Sequence, residues 1–166
     1  DFAYGHELQG LCLHVLDGEE NSLSQMSAAE LRAFGDKARA LGLDVHLELS
    51  TTRREDIDQA VAIALAVGSS NIRAYSRYEG KLSQVMELIE TDLRHLGQLA
   101  DAHDLHFDFE QHEELKSFEI ARLLRCVDNP RLNALFDFGN MINACERPLP
   151  ALHALAPYIR QVHLKG

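Results

Sequence analysis

Asp44-Val45-His46-Leu47-Glu48-Leu49-Ser50 alternates without a break between apolar and polar side chains once past its first residue. Successive side chains of a β-strand point to opposite faces, so this stretch reads as a strand with Val45, Leu47 and Leu49 on one face and His46, Glu48 and Ser50 on the other. The same division recurs along the chain. Phe107 and Phe109 oppose His106, Asp108, Glu110 and His112; Ala134, Phe136 and Phe138 oppose Asn133, Leu135 and Asp137; Val162 and Leu164 oppose Gln161, His163 and Lys165. Earlier strands add Cys12 and His14, then Arg73 and Tyr75, to the polar set.

Working outward, six strand candidates are spaced along the chain: Leu11 to Leu16, Asp44 to Ser50, Asn71 to Tyr75, His106 to Glu110, Asn133 to Phe138 and Ile159 to Leu164. Helical periodicity fills the intervals. Ser27-Ala28-Ala29-Glu30 has the pattern of a capping box ahead of an apolar face of Leu31, Phe34, Ala38 and Leu41, and Gly42 stops that helix. Thr52-Arg53-Arg54-Glu55 is expected to repeat the box ahead of Ile57, Val61, Ala64 and Leu65. A longer helix carries Leu82, Val85, Ile89, Leu93, Leu96 and Leu99; the next runs from Ser117 to Val127 and ends at Asn129-Pro130; a short one is expected around Pro148 to Ala156.

Strand and helix in alternation, joined by short connections, call for a parallel sheet covered by helices. An open doubly wound sheet and a closed (β/α)8 TIM barrel both satisfy that pattern. The open sheet usually carries a glycine-rich phosphate loop after its first strand, and none occurs here. It also buries both strand faces under helices and should be apolar on both, whereas one face here is polar and ionisable. A barrel accounts for the polar face, because its interior becomes the floor of a site at the C-terminal ends of the strands. A complete barrel needs about 250 residues. The 166 residues present are therefore expected to form a single domain, 1–166, that is an incomplete barrel covering strands 2 to 7 and truncated at both ends.

Charge narrows the function classes. Asp plus Glu number 26 against 16 Lys plus Arg, a net charge of −10, which repels nucleic-acid phosphates and anionic membrane surfaces. The longest apolar stretch, around Ala60 to Val67, is too short to span a bilayer, and the N-terminus lacks a basic-then-apolar signal pattern. Cys12, Cys126 and Cys145 are too few and too scattered for a disulfide framework or a thiol zinc motif, so a reducing, cytoplasmic setting is expected.

Buried ionisable groups must hydrogen-bond, pair or bind a cation. Glu110, Asp137 and His163 fall on the polar set at the ends of three different strands, and two carboxylates with one imidazole suit Mn²⁺, Mg²⁺, Co²⁺ or Zn²⁺. Glu48 and Arg73 read either as an ion pair or as substrate-facing groups. His14 and His46 read as structural.

Phe109-Glu110-Gln111-His112-Glu113, Phe136-Asp137-Phe138-Gly139-Asn140 and Val162-His163-Leu164-Lys165, in this order on successive strands, resemble the strand-end motifs of the xylose isomerase-like TIM barrels, a family of sugar isomerases, epimerases and inosose dehydratases. Gln111 stands where Asn is commoner. The resemblance implies that Glu110, Asp137 and His163 bind the metal, Mn²⁺ first among the candidates, with a fourth ligand, a Glu on the eighth strand, beyond Gly166. It implies that His112, Asn140 and Lys165 face or frame a sugar or polyol substrate, and that Glu110 is an acid-base group as well as a ligand. The implied activity is isomerisation or epimerisation in carbohydrate metabolism, through an enediolate formed by proton transfer alpha to a carbonyl. A lyase reaction, dehydration of a keto-polyol, uses the same logic. Without its eighth-strand Glu the chain alone is expected to lack half of the proton-transfer machinery, and its open sheet edges suit a homo-oligomer or partner chains. A barrel that binds sugars without turning them over, or an inactive fragment, is the alternative of another class.

Overall fold

The computed structural model describes residues 2–16 and 18–164, Phe2 by its backbone alone, so Lys165 lies outside the described residues. Strands β1 (Gly10–His14), β2 (Asp44–Leu49), β3 (Asn71–Ala74), β4 (His106–Glu110), β5 (Leu132–Asp137) and β6 (Ile159–His163) alternate with helices α1 (Phe2–Gly5), α2 (Ala28–Ala40), α3 (Arg54–Val67), α4 (Leu82–His103), α5 (Ser117–Val127), α6 (Phe138–Asn143) and α7 (Pro148–Leu155). All six expected strands are present.

The strands form one sheet in the order β1-β2-β3-β4-β5-β6, every pair parallel. Each connection therefore steps one strand over in the same direction. Because parallel crossovers are right-handed, an unreversed order places the connecting helices on one face, whereas a doubly wound sheet must reverse. The sheet is also strongly curled. The His163 imidazole of β6 lies 3.7 Å from the Glu48 carboxylate of β2. Four strand spacings across a flat sheet come to about 19 Å, more than two side chains bridge. The architecture is a partial (β/α) barrel with helices outside.

The core lies between the outer strand face and the helices. Leu47, Leu49, Ile72, Phe107 and Ala134 pack against Ile57, Ala60, Ile89, Leu93, Ile120 and Leu123, all buried. Outer and inner sets fall as the alternation requires in β2, where Val45, Leu47 and Leu49 are buried and His46 and Glu48 half-buried. On β6, Val162 belongs to the outer set and is nonetheless exposed.

Local signals succeed where side chains have no better partner. Ser27 closes its capping box with Glu30, its main-chain N–H donating to Glu30 Oε2 at 2.7 Å. The box expected at Thr52 does not form. Arg53 is the N-cap of α3 and supplies no side-chain bond, because the Thr52 hydroxyl donates instead to Asp92 Oδ2 of α4, at 2.6 Å. Leu65 and Leu82, expected on apolar helix faces, are exposed. Helices α2 and α3 meet closely at Gly35, where an added Cβ would land on the Val67 carbonyl of α3. Main chain on both sides leaves nothing to rotate away, so Gly35→Ala is expected to destabilise the fold by about 1–3 kcal/mol in urea unfolding.

Candidate metal centre

Glu110, Asp137 and His163 are the last residues of β4, β5 and β6, and each lies on the inner face. One ligand atom from each falls within 4.8 Å of the others. His163 Nδ1 is 3.7 Å from Glu110 Oε1 and 3.8 Å from Asp137 Oδ2. A divalent ion bound at about 2.0–2.2 Å holds neighbouring donors roughly 3–4 Å apart, so the spacing and the mixed carboxylate and imidazole set both fit such an ion. Hydrogen bonding to Glu110 raises the proton affinity of His163 above that of an ordinary imidazole, with burial opposing it. Nε2 of the same ring points the other way, to Glu48 Oε1 at 3.7 Å. A carboxylate behind a ligating imidazole fixes its tautomer and orientation.

Strand ends and the turns after them hold this set in place. Asp137 is the N-cap of α6: its Oδ1 accepts from the Asn140 main-chain N–H at 3.0 Å, which orients the carboxylate. The buried Asn140 amide donates to Glu110 Oε1 and to the Gln111 carbonyl, both at 3.2 Å, so it positions the Glu110 carboxylate. Gln111 donates to the Leu115 carbonyl at 2.9 Å and braces the turn after β4.

Arg73 sits between two carboxylates. Its Nη2 donates to Glu48 Oε2 at 2.7 Å, its Nη1 to the Leu49 carbonyl at 3.2 Å, and its Nε is 3.2 Å from Glu110 Oε2. Glu48 and Arg73 thus do form the ion pair weighed from the sequence, and that pair flanks both Glu110 and His163. His112 lies at the rim, its ring stacked on Tyr75 with centroids 4.0 Å apart and planes 5° from parallel. The Tyr75 hydroxyl donates to Ser50 Oγ at 2.9 Å, and Ser50 also meets His14 Nε2 at 2.9 Å. Glu113 accepts from the Asn143 amide at 2.7 Å, which draws α6 toward the turn after β4.

Deeper in the interior, Asp108 is buried and pairs with Arg160 at 3.2 Å. Alternation assigns Arg160 to the outer face of β6 with Val162. The register shift between Ala134 and Leu135 leaves Arg160 as an extra residue on β6, a bulge that re-aims its side chain inward. Nothing in the sequence marks that bulge. Burial pushes the Asp108 carboxyl up to about 6, although Arg160 favours its ionised form. A folded-state value above the usual 3.8 means that this group's stabilising contribution is full below that value and is lost as pH rises through about 6. Asp108→Asn is therefore expected to flatten the pH dependence of stability. Between pH ~4 and ~7.5 the parent should lose about 2 kcal/mol relative to the variant in parallel urea titrations.

A model of the xylose isomerase-like TIM barrel family matches residues 47–166. An uncharacterised Escherichia coli (strain K12) protein, YihM, is 48% identical over 165 residues, covering 99% of this chain and 51% of the relative. An inosose dehydratase of Bacillus thuringiensis (strain Al Hakam) is 36% identical over 76 residues, 44% of this chain and 26% of the enzyme. The crystal structure of D-psicose 3-epimerase in the presence of D-fructose superposes with a TM-score of 0.82 at 8% identity, covering 96% of this chain and 64% of that one. The chain thus spans about half the length of the E. coli relative, 51%, and under two thirds of the epimerase, 64%. With six unreversed parallel strands, a curled sheet and a family match over 47–166, the chain belongs to the xylose isomerase-like TIM barrel family.

Proposed function

We propose that the complete protein is a divalent-metal-dependent sugar isomerase or epimerase that moves a proton at a carbon alpha to a carbonyl. The observation that carries this reading is the convergence of Glu110, Asp137 and His163 at three successive strand ends beside Glu48 and Arg73. The interior carboxylates Glu48, Asp108, Glu110 and Asp137 outnumber the guanidinium groups Arg73 and Arg160, so a divalent cation would balance the charge. Glu110, Asp137 and His163 would hold the ion, Mn²⁺ being our choice. When bound, such an ion supplies Lewis-acid stabilisation of negative charge on neighbouring oxygens.

The remaining roles belong to the chain's own groups. Glu110 moves the proton, and Asn140 and Arg73 hold its carboxylate in place. Glu48 orients His163. His112, stacked on Tyr75, offers a ring edge and a ring nitrogen to a sugar hydroxyl at the rim, and Lys165 is proposed to face the substrate as well. The match to an inosose dehydratase favours a second reading, dehydration of a keto-polyol, which shares the first proton transfer.

Exchange of a ketose's alpha proton with solvent deuterium, followed by proton NMR on the metal-loaded complete protein, tests the proposal. Glu110→Gln is expected to slow exchange about 10³-fold. Release of the sugar with no deuterium incorporated by the parent protein would instead make this a binding protein.

A further inference from the structure

His112 sits in the turn between β4 and α5, where neither a strand ladder nor a helix constrains a side chain. An imidazole there has rotamer freedom to lose before it can meet a ligand, and that loss weakens binding. Two contacts settle its orientation. Glu114 Oε2 lies 3.3 Å from Nδ1; a carboxylate only accepts, so the proton belongs on Nδ1 and Nε2 keeps its lone pair. The second contact is Tyr75, whose ring lies 4.0 Å from the imidazole and 5° from parallel to it.

Tyr75 is itself held from several directions. It directly follows β3 and is 5% exposed. Arg77 Nη2 donates to its hydroxyl at 2.6 Å, and the hydroxyl donates to Ser50 Oγ at 2.9 Å. Ser50 then has its own proton for His14 Nε2, also 2.9 Å away. The guanidinium carbons of Arg73 and Arg77 lie 5.3 and 5.2 Å from the Tyr75 ring centroid, within the range of a cation–π contact. The phenol is thus tied to the ends of β1, β2 and β3, and through the stack it carries that rigidity to the turn after β4.

We infer that Tyr75 is a positioning residue that presets the His112 ring, so that Nε2 accepts a hydrogen bond from a substrate hydroxyl. The inference rests on the proposed function for the presence of that hydroxyl. Tyr75 touches no reacting atom, and its effect on the reaction passes through His112 alone. Because His112 lies at the rim, beyond the metal centre, its hydrogen bond holds ground state and transition state alike and lowers KM without changing kcat.

Deuterium exchange into D-fructose by the Mn²⁺-loaded complete protein, and proton NMR of the His112 ring in the metal-free protein, test this together. Tyr75→Leu should raise KM about tenfold, the effect of losing one ordered hydrogen bond, with kcat within about twofold of the parent. Tyr75→Phe keeps the stack and loses only the hydroxyl bonds, so its KM should stay within about threefold of the parent value. Adding Tyr75→Leu to His112→Ala should change KM by less than about twofold, because the two residues act as one unit. The His112 ring protons should lie upfield under the phenol, stay there in Tyr75→Phe and move downfield in Tyr75→Leu. A KM effect of Tyr75→Leu that persists undiminished in the His112→Ala background, or a Tyr75→Phe protein as impaired as Tyr75→Leu, overturns the role. His112 signals unmoved in Tyr75→Leu, with exchange by the parent intact, refute this inference alone. A parent that exchanges no ketose proton, while those signals move as expected, refutes the proposed function instead.

Discussion

His163→Ala is expected to weaken Mn²⁺ binding by about 100-fold or more in calorimetric titration while leaving the fold intact. The imidazole supplies the one nitrogen donor of the described cluster and the atom that faces both carboxylates, at 3.7 and 3.8 Å. Its residue is only half-buried at the end of the edge strand β6, so truncation opens no core cavity. Asp137→Ala serves less well as a first test. That carboxylate is fully buried and also caps α6, so its loss mixes ligand removal with helix fraying. A parallel measurement on Glu48→Gln separates direct from indirect effects. Removing the carboxylate behind His163 Nε2 should cost roughly ten- to 100-fold in affinity and shift the imidazole tautomer seen by ¹⁵N NMR.

The second large effect is on stability and carries an opposite sign for the metal. Arg73 is 11% exposed and lies between Glu48 and Glu110. Replacing it with methionine keeps much of the volume and leaves both carboxylates without their cation. Stranding a buried charge in this way costs about 3–5 kcal/mol. The same change raises the negative potential at Glu110, which favours a bound cation. Arg73→Met should therefore have a markedly lower Tm without metal and a larger rise in Tm on adding Mn²⁺ than the parent. A variant whose stability falls but whose metal response is unchanged would show that Arg73 only packs, and would remove it from the electrostatics of the centre.

Much of this arrangement is legible in the sequence, for reasons that can be traced residue by residue. Strict alternation through Val45 to Leu49 reports a strand with one face on helices and one facing inward, and both faces are found as read. The ends of β4, β5 and β6 carry Glu110, Asp137 and His163 inward because alternation holds to each strand's last residue; Asp137 and His163 are paired across β5 and β6, and Glu110 is level with Leu135, the preceding inward residue of β5. Asn140 shows its role only once α6 exists. That helix has six residues, too few for periodicity to announce, and it begins on Asp137 itself.

Tertiary partnership overrides a local signal at Thr52 and Arg160, and sets the partner of a correctly read Tyr75. Thr52 has the residue type of an N-cap, but Asp92, 40 positions away, takes its hydroxyl. Arg160 has the parity of an outer residue, and a register shift visible only in strand pairing turns it inward to Asp108. Tyr75 belongs to the inner set by alternation; its stacking on His112 depends on where the turn after β4 travels. Alternation gives the face of a side chain, and neighbouring strands decide its partner.

Anomalous diffraction from crystals of the protein grown with saturating Mn²⁺ tests the central claim most directly. One strong peak is expected about 2.0–2.3 Å from carboxylate oxygens of Glu110 and Asp137 and from Nδ1 of His163. Electron density that shows these three side chains ordered with no anomalous peak between them would contradict it.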